Sequence, residues 1–125
     1  MTSTHGSKED LPVWDAGLGD QIQKRYAEWG SFRVEFESIK AGFDTASAFS
    51  PLPGGACDVP HWGYVFKGKI AVRYTDGREE TVSAGEAFYM PPGHVPRFVE
   101  DTELVEFTPI DLLARRNELL AQARG

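Results

Sequence analysis

This chain consists largely of short segments in which apolar and polar side chains alternate. Phe32 to Glu37 alternate aromatic or aliphatic residues with charged ones, as expected of a strand with one buried face. Segments 69–75 and 78–83 flank Asp76-Gly77, a dipeptide that supplies the positive φ angles of a tight hairpin turn. The pattern therefore predicts a β-hairpin over 69–83.

Further short segments repeat this rhythm along the chain. Stretches 45–49, 87–90, 95–99 and 103–107 are predicted strands, separated by turns rich in glycine and proline, of which the chain has 13 and 8. About eight short antiparallel strands in a domain of this size close into a small barrel or a two-sheet jelly roll. We therefore predict an all-β fold.

Both ends of the chain change to a helical pattern. Residues 108–111 provide a capping hydroxyl, a proline and a carboxylate, so we predict a helix over about 109–123. Its four spaced leucines form a stripe that would pack on the barrel or on a partner subunit. A shorter helix is predicted over 20–29, with Ile22, Tyr26 and Trp29 on one side and Gly30 after its end.

Length and composition limit the classes of protein. A chain of 125 residues, 41% hydrophobic and 26% charged, fits one globular domain, which we place at 13–125 after a flexible leader at 1–12. The net charge of −6 and the scattered basic residues argue against nucleic acid. No segment is long and apolar enough for a membrane span or a signal peptide, so we expect cytoplasmic residence. The single cysteine, Cys57, excludes an internal disulfide.

Segments 57–68 and 85–94 resemble the two signature motifs of the cupin superfamily, whose small members form RmlC-like barrels. In that family the first motif carries two histidines, a glutamate and a closing glycine. The second motif carries a glycine, a Pro-x-Gly turn and another histidine. The four polar side chains usually hold a divalent metal inside the barrel. The resemblance implies an antiparallel cupin β-barrel or jelly roll with short N- and C-terminal helices.

The first motif is altered at the positions of the metal ligands. With Gly68 matched to the closing glycine, His61 occupies the glutamate position, Cys57 the second histidine and Gly55 the first.

The second motif keeps its turn but not its histidine. Gly85, Pro91 and Gly93 match, whereas the histidine position falls on Pro96 and His94 lies two residues earlier.

Cys57, His61 and His94 form the candidate metal-ligand set. A thiolate and two imidazoles suit zinc with an open fourth position, and the same set is tolerable for iron or nickel. Other interpretations stay open at this point. Cys57 could be a packed thiol or a nucleophile, His61 a hydrogen-bonded interior histidine, and His94 an exposed turn residue.

Glu106 is the candidate partner of His61 in proton transfer, because an imidazole and a carboxylate together move protons at neutral pH. By contrast, Glu35 and Glu37 are expected on an exposed strand face.

Three aromatic residues are candidates for stacking on a flat ligand: Tyr64, Tyr89 and Phe98. The alternative is that they fill the core.

Alternation along 61–66 also predicts two apolar faces. One carries Trp62, Tyr64 and Phe66, which should be covered by the N-terminal segment or by a second subunit. We therefore expect a homodimer.

Three function classes are compatible with these features. One is a metal-dependent enzyme acting on a small organic substrate in the barrel. The others are a metal-free cupin that binds or senses a small molecule and a structural scaffold without ligand. A fold of this type hosts unrelated functions, so the sequence alone does not choose among them.

Overall fold

The computed structural model describes residues 4–14 and 19–124. Two antiparallel sheets form the domain, one with the strand order β1-β2-β3-β9-β4-β7 and the other with the order β6-β5-β8. The strands are β1 Val13–Trp14, β2 Ile22–Trp29, β3 Phe32–Ile39, β4 His61–Lys67, β5 Lys69–Tyr74, β6 Glu79–Ser83, β7 Ala87–Met90, β8 His94–Phe98 and β9 Thr102–Pro109. The helices are α1 Thr45–Phe49 and α2 Ile110–Arg124, with a short 3₁₀ turn at Pro53–Gly55. The all-β, antiparallel prediction is confirmed.

The predicted hairpin is present. Strands β5 and β6 pair in antiparallel register from Lys69 opposite Ser83 to Arg73 opposite Glu79. Gly77 in the connecting turn has φ of 93°, a value that favours glycine. Asp76 does not share this conformation, so the turn is a longer one with a single left-handed glycine and not the two-residue turn that the dipeptide predicts.

The helix predicted over 20–29 is wrong, because this segment is strand β2. It pairs along its whole length with β3, from Ile22 opposite Ile39 to Trp29 opposite Phe32. An apolar spacing of four, as from Ile22 to Tyr26, fits the period of a strand as well as that of a helix. Gly30, with φ of 62°, belongs to the hairpin turn and does not cap a helix.

The strand predicted at 45–49 is also wrong. Residues Thr45–Phe49 form helix α1, whose N-cap residue Asp44 accepts a hydrogen bond from the Ala46 N–H at 2.9 Å. Thr45 and Phe49, four residues apart, are the buried positions. The capping side chain thus outweighs the β-branched first residue.

The C-terminal helix is confirmed at Ile110–Arg124. Leu113 and Leu120 are buried, whereas Leu112 is exposed. Leu120 packs with Phe49 and Cys57, so the helix covers one end of the barrel. Among the described residues, no helix has the length and apolar character needed to cross a membrane.

Candidate metal site

A cavity of about 480 Å³ lies inside the domain and is lined by both sheets and both helices. Its volume is in the range of small-molecule sites, and most of its remaining lining is apolar. Its polar lining residues are Lys24, Glu37, Thr45, His61, His94, Glu106, Arg116 and Asn117.

His94 begins β8 and is almost completely buried. Its Nδ1 lies 2.8 Å from the Pro91 carbonyl oxygen, which can only accept, so Nδ1 donates and Nε2 keeps its lone pair. Burial lowers the pKa of the imidazole, which favours the neutral form. Nε2 is buried and has no hydrogen-bond partner among the residues that the structure describes. An imidazole in this state is ready to bind a metal ion.

Cys57 pairs with His94 in an isolated antiparallel β-bridge, and Cys57 is completely buried. Its Sγ lies 3.7 Å from His61 Nε2 and 3.6 Å from Arg116 Nη1. Burial raises the pKa of the thiol, but the contacts with His61 and Arg116 outweigh burial and lower the pKa below its ordinary value. The thiolate form of this sulfur is therefore less disfavoured than burial alone would make it.

His61 begins β4, where its side chain points inward. Its Nδ1 is 2.8 Å from the Thr108 hydroxyl oxygen and 3.6 Å from Glu106 Oε2. Such a second contact on the far ring nitrogen orients metal-binding histidines and fixes their tautomer. His61 Nε2 is left facing Cys57.

The three predicted ligands lie close together in the structure. One ligand atom each from Cys57, His61 and His94 lie within 4.8 Å of one another. Bonds of about 2.0–2.3 Å to a tetrahedral ion place ligand atoms roughly 3.4–3.8 Å apart, so the group closes on an ion with small side-chain shifts. The donor types and their burial therefore fit a metal ion.

A second group of charged residues lies on β2 and β3, and two of its members, Lys24 and Glu37, line the cavity. Lys24 Nζ is 3.4 Å from Glu35 Oε1 and 3.8 Å from Glu37 Oε2, and Arg33 Nε is 2.8 Å from Glu35 Oε2. Burial raises the pKa of Glu35, but Lys24, Glu37 and Arg33 outweigh it and hold the pKa at about 2. Burial and the neighbouring Glu106 raise the pKa of Glu37 well above its ordinary value. The protonated form is therefore favoured at Glu37 relative to Glu35.

The expectation that Glu35 and Glu37 are exposed is wrong, because both are buried and inward. On β3 the charged Arg33, Glu35 and Glu37 face the interior together with Ile39, whereas Phe32, Val34 and Phe36 lie on the opposite face. Alternation alone does not tell which face is the inner one.

The predicted ligand-stacking aromatics divide between the two sides of the barrel. Phe98 lines the cavity. Tyr64 and Tyr89 lie on the outer face of the six-stranded sheet, 39% and 50% exposed, so neither contacts this cavity. Both point away because they are one residue out of phase with the inward His61 and Met90.

Sequence reasoning missed Lys24, Glu37 and Arg116 as cavity residues. Lys24 belongs to the segment that was predicted as a helix. Arg116 belongs to the C-terminal helix, in which only the leucines were considered as packing residues. A signal was available for Lys24, since Ile22, Lys24 and Tyr26 alternate with period two and oppose the inward residues of β3. No local pattern marks Arg116.

Solved structures share this fold. An RmlC-like cupin from Shewanella frigidimarina NCIMB 400 matches 86% of this chain and 92% of its own with a TM-score of 0.61 and 17% identity. KdgF from Halomonas sp. matches 86% of this chain and 94% of its own, with a TM-score of 0.60 and 19% identity. The iron(II) form of HppE matches 82% of this chain and 58% of its own, with a TM-score of 0.57 and 9% identity. No protein-family model and no curated protein matches the sequence.

Proposed function

We propose that this chain, which has the cupin fold, binds one divalent metal ion through Cys57, His61 and His94. The adjoining cavity takes a small organic molecule as substrate. The observation that carries the proposal is the Nε2 atom of His94, which is buried beside two other ligand atoms and finds no hydrogen-bond partner within residues 4–14 and 19–124. An unpaired polar atom of this kind costs free energy unless something binds it.

The donor set leaves a coordination position for substrate. Three protein ligands and one open position are the arrangement of catalytic metal sites, whereas structural sites use four protein ligands. When bound, the ion supplies a Lewis acid that polarises a substrate oxygen. The cavity beside His61 and His94 holds the rest of the molecule.

Glu106 is the candidate proton-transfer residue. It lines the cavity and its Oε2 lies 3.6 Å from His61 Nδ1. From this position the carboxylate can accept a proton from a bound molecule, or hold the His61 ring in place. Catalytic roles are therefore proposed for Glu106 and His61.

A metal-free binding protein is the second candidate. Arg116 and His61 already contact the Cys57 sulfur, and Thr108 satisfies His61 Nδ1, so much of the cluster is paired without an ion. A mostly apolar cavity closed by Phe98 and other core residues would bind a small molecule without a metal.

Titration of untagged protein with Co(II) and Zn(II), followed by absorption and native mass spectrometry, separates the two candidates. We expect one ion per chain, with a thiolate band in the Co(II) spectrum that Cys57→Ser removes. His94→Ala should weaken binding by more than about tenfold, since loss of even an outer-shell partner has an effect of this size. His5→Ala, in the N-terminal segment outside the cavity, is the control and should bind normally.

Failure to bind either ion would contradict the metal-site proposal. A rise in melting temperature with a small-molecule library, seen equally with and without chelator, would then support the metal-free candidate.

A further inference from the structure

Arg116 places a buried positive charge on the wall of the cavity. The residue lies on helix α2, is 7% exposed and lines the same cavity as His61 and His94. Removing a charge from water costs free energy unless the charge is paired and its hydrogen-bonding groups are satisfied. The partners of this guanidinium group therefore indicate whether the protein alone completes its surroundings.

The described part of the chain satisfies the Arg116 guanidinium group only in part. Asn117 Oδ1 accepts hydrogen bonds from Nε at 3.3 Å and from Nη2 at 3.0 Å, and Nη1 donates to the Cys57 sulfur at 3.6 Å. A guanidinium group has five N–H donors, two of them on each terminal nitrogen. Within residues 4–14 and 19–124, one N–H on each terminal nitrogen is therefore left without a partner.

The other buried cations of the described residues differ from Arg116, because each of them has a carboxylate partner. Lys24 Nζ is 3.4 Å from Glu35 Oε1, and Arg33 Nε is 2.8 Å from Glu35 Oε2. No carboxylate in the described ranges forms an ion pair with Arg116. Arg116 is thus a buried cation that still lacks a carboxylate counter-ion.

The proposed metal ion would increase this need for an anion. A divalent ion bound by a single thiolate keeps a net positive charge, and it would lie next to the guanidinium group that contacts the same sulfur. A negatively charged group from a bound molecule would lower the repulsion between these two positive centres.

We propose that Arg116 binds the carboxylate group of the substrate, so that the cavity takes a small organic acid. The inference rests on the proposed function and names the substrate class of its site. A guanidinium group matches a carboxylate with two parallel N–H···O bonds, and Asn117 holds the group in one orientation. Because most of the remaining lining is apolar, the rest of the acid would be uncharged.

The position of Arg116 also connects this carboxylate site to the proposed metal site. Its Nη1 lies 3.6 Å from the Cys57 sulfur, and that sulfur lies 3.7 Å from His61 Nε2. An acid bound through its carboxylate at Arg116 therefore places its neighbouring atoms beside the coordination position that the three protein ligands leave open.

Isothermal titration calorimetry of the full chain, kept metal-free with a chelator, tests the carboxylate site. The probes are propanoate, hexanoate and benzoate, each compared with its own amide, which has the same shape and no charge. We expect at least one acid to bind about tenfold more tightly than its amide, since charge-assisted hydrogen bonds are stronger than neutral ones.

Three variants locate the site of this preference. Arg116→Gln should abolish the preference for the acid, whereas Arg116→Lys, which keeps the charge without the planar fork, should retain only part of it. Arg115→Gln, at the exposed neighbouring position of the same helix, removes the same charge and should leave the preference unchanged. Circular dichroism checks that each variant is folded, and the comparison of acids with amides in the wild-type protein stands even where a variant does not fold.

Several outcomes would overturn the inference. They are the absence of binding by all three acids, equal affinities for acids and amides, and a preference that survives Arg116→Gln. Inorganic phosphate that binds more tightly than every acid would replace the carboxylate by a different anion. If Arg116→Gln changed only the reactivity of the Cys57 thiol, Arg116 would serve the sulfur and not a substrate.

This experiment fails independently of the proposed metal site, because every titration is made without metal. Binding of an acid at Arg116 in a protein that takes up neither Co(II) nor Zn(II) would reject the metal site and support the carboxylate site. Uptake of one ion per chain without any preference for acids would support the metal site and overturn the substrate class.

Discussion

The inner and outer faces of the six-stranded sheet have opposite compositions. On β3 the inward positions carry Arg33, Glu35 and Glu37, all buried, while the outward Phe32 is 39% exposed. A sheet that served only as a scaffold would place these residues the other way round. The reversal places a buried polar network in the interior, in which Lys24 and Arg33 both pair with Glu35.

The largest expected effect tests the inner face. Lys24→Met leaves the buried Glu35 carboxylate with Arg33 as its partner, so we expect the free energy of unfolding to fall by about 3 kcal/mol, the low end for a broken buried pair. Lys40→Met, at an exposed position, should change it by less than about 0.5 kcal/mol. Urea denaturation measures both. Equal, small losses would mean that the inner charges contribute little to stability.

The second largest effect is expected at Gly63, where strand β4 packs closely against β9 and β7. A Cβ on Gly63 would collide with the Val105 backbone oxygen and the Phe88 ring. Gly63→Ala should therefore cost about 1–3 kcal/mol through strand displacement. Ser38→Ala, at an exposed position of β3, should be nearly neutral in the same denaturation experiment. A neutral Gly63→Ala would mean that the two strands separate easily.

In metal-free protein, a substitution at Glu37 is expected to raise the free energy of unfolding, whereas the two substitutions above lower it. Its folded pKa lies above the ordinary value of 4.5, so stability falls as pH rises from about that value through the raised pKa. Glu37→Gln should therefore stabilise the protein at neutral pH and give no gain at pH 4.

The stability contributed by Glu35 should depend on pH in the opposite direction, because the pKa of Glu35 is depressed to about 2. Its contribution is present above its ordinary pKa and is lost as pH falls towards 2. Glu35→Gln should therefore destabilise at neutral pH. Melting temperatures over a pH series measure both variants, and two parallel profiles would contradict the assignment of the proton to Glu37.

The smallest effect is expected on the outer face. Tyr89 stacks on Trp62 with ring centroids 5.1 Å apart and is half exposed. In dilute, monomeric protein, Tyr89→Ser should cost about 0.5–1.5 kcal/mol, the typical value of one aromatic pair. A loss as large as that of Lys24→Met would show that the outer aromatics belong to the core.

Local chemistry predicted much of this molecule. The Asp76-Gly77 turn, the start of the C-terminal helix and the meeting of Cys57, His61 and His94 follow from turn geometry, capping or motif spacing. The residues that were misplaced have two different causes. Lys24 is inward because β2 pairs with β3, which the pattern of one segment does not show. At 45–49 the cause is local, since the cap supplied by Asp44 outweighs the strand preference of β-branched Thr45.

Two of the three proposed ligands share one pair of backbone hydrogen bonds. The Cys57 N–H donates to the His94 carbonyl at 3.1 Å, and the His94 N–H donates to the Cys57 carbonyl at 3.2 Å. Folding of the chain alone therefore fixes the separation of these two residues. For the proposed metal site, little backbone conformational entropy would therefore be lost at these two residues when an ion binds.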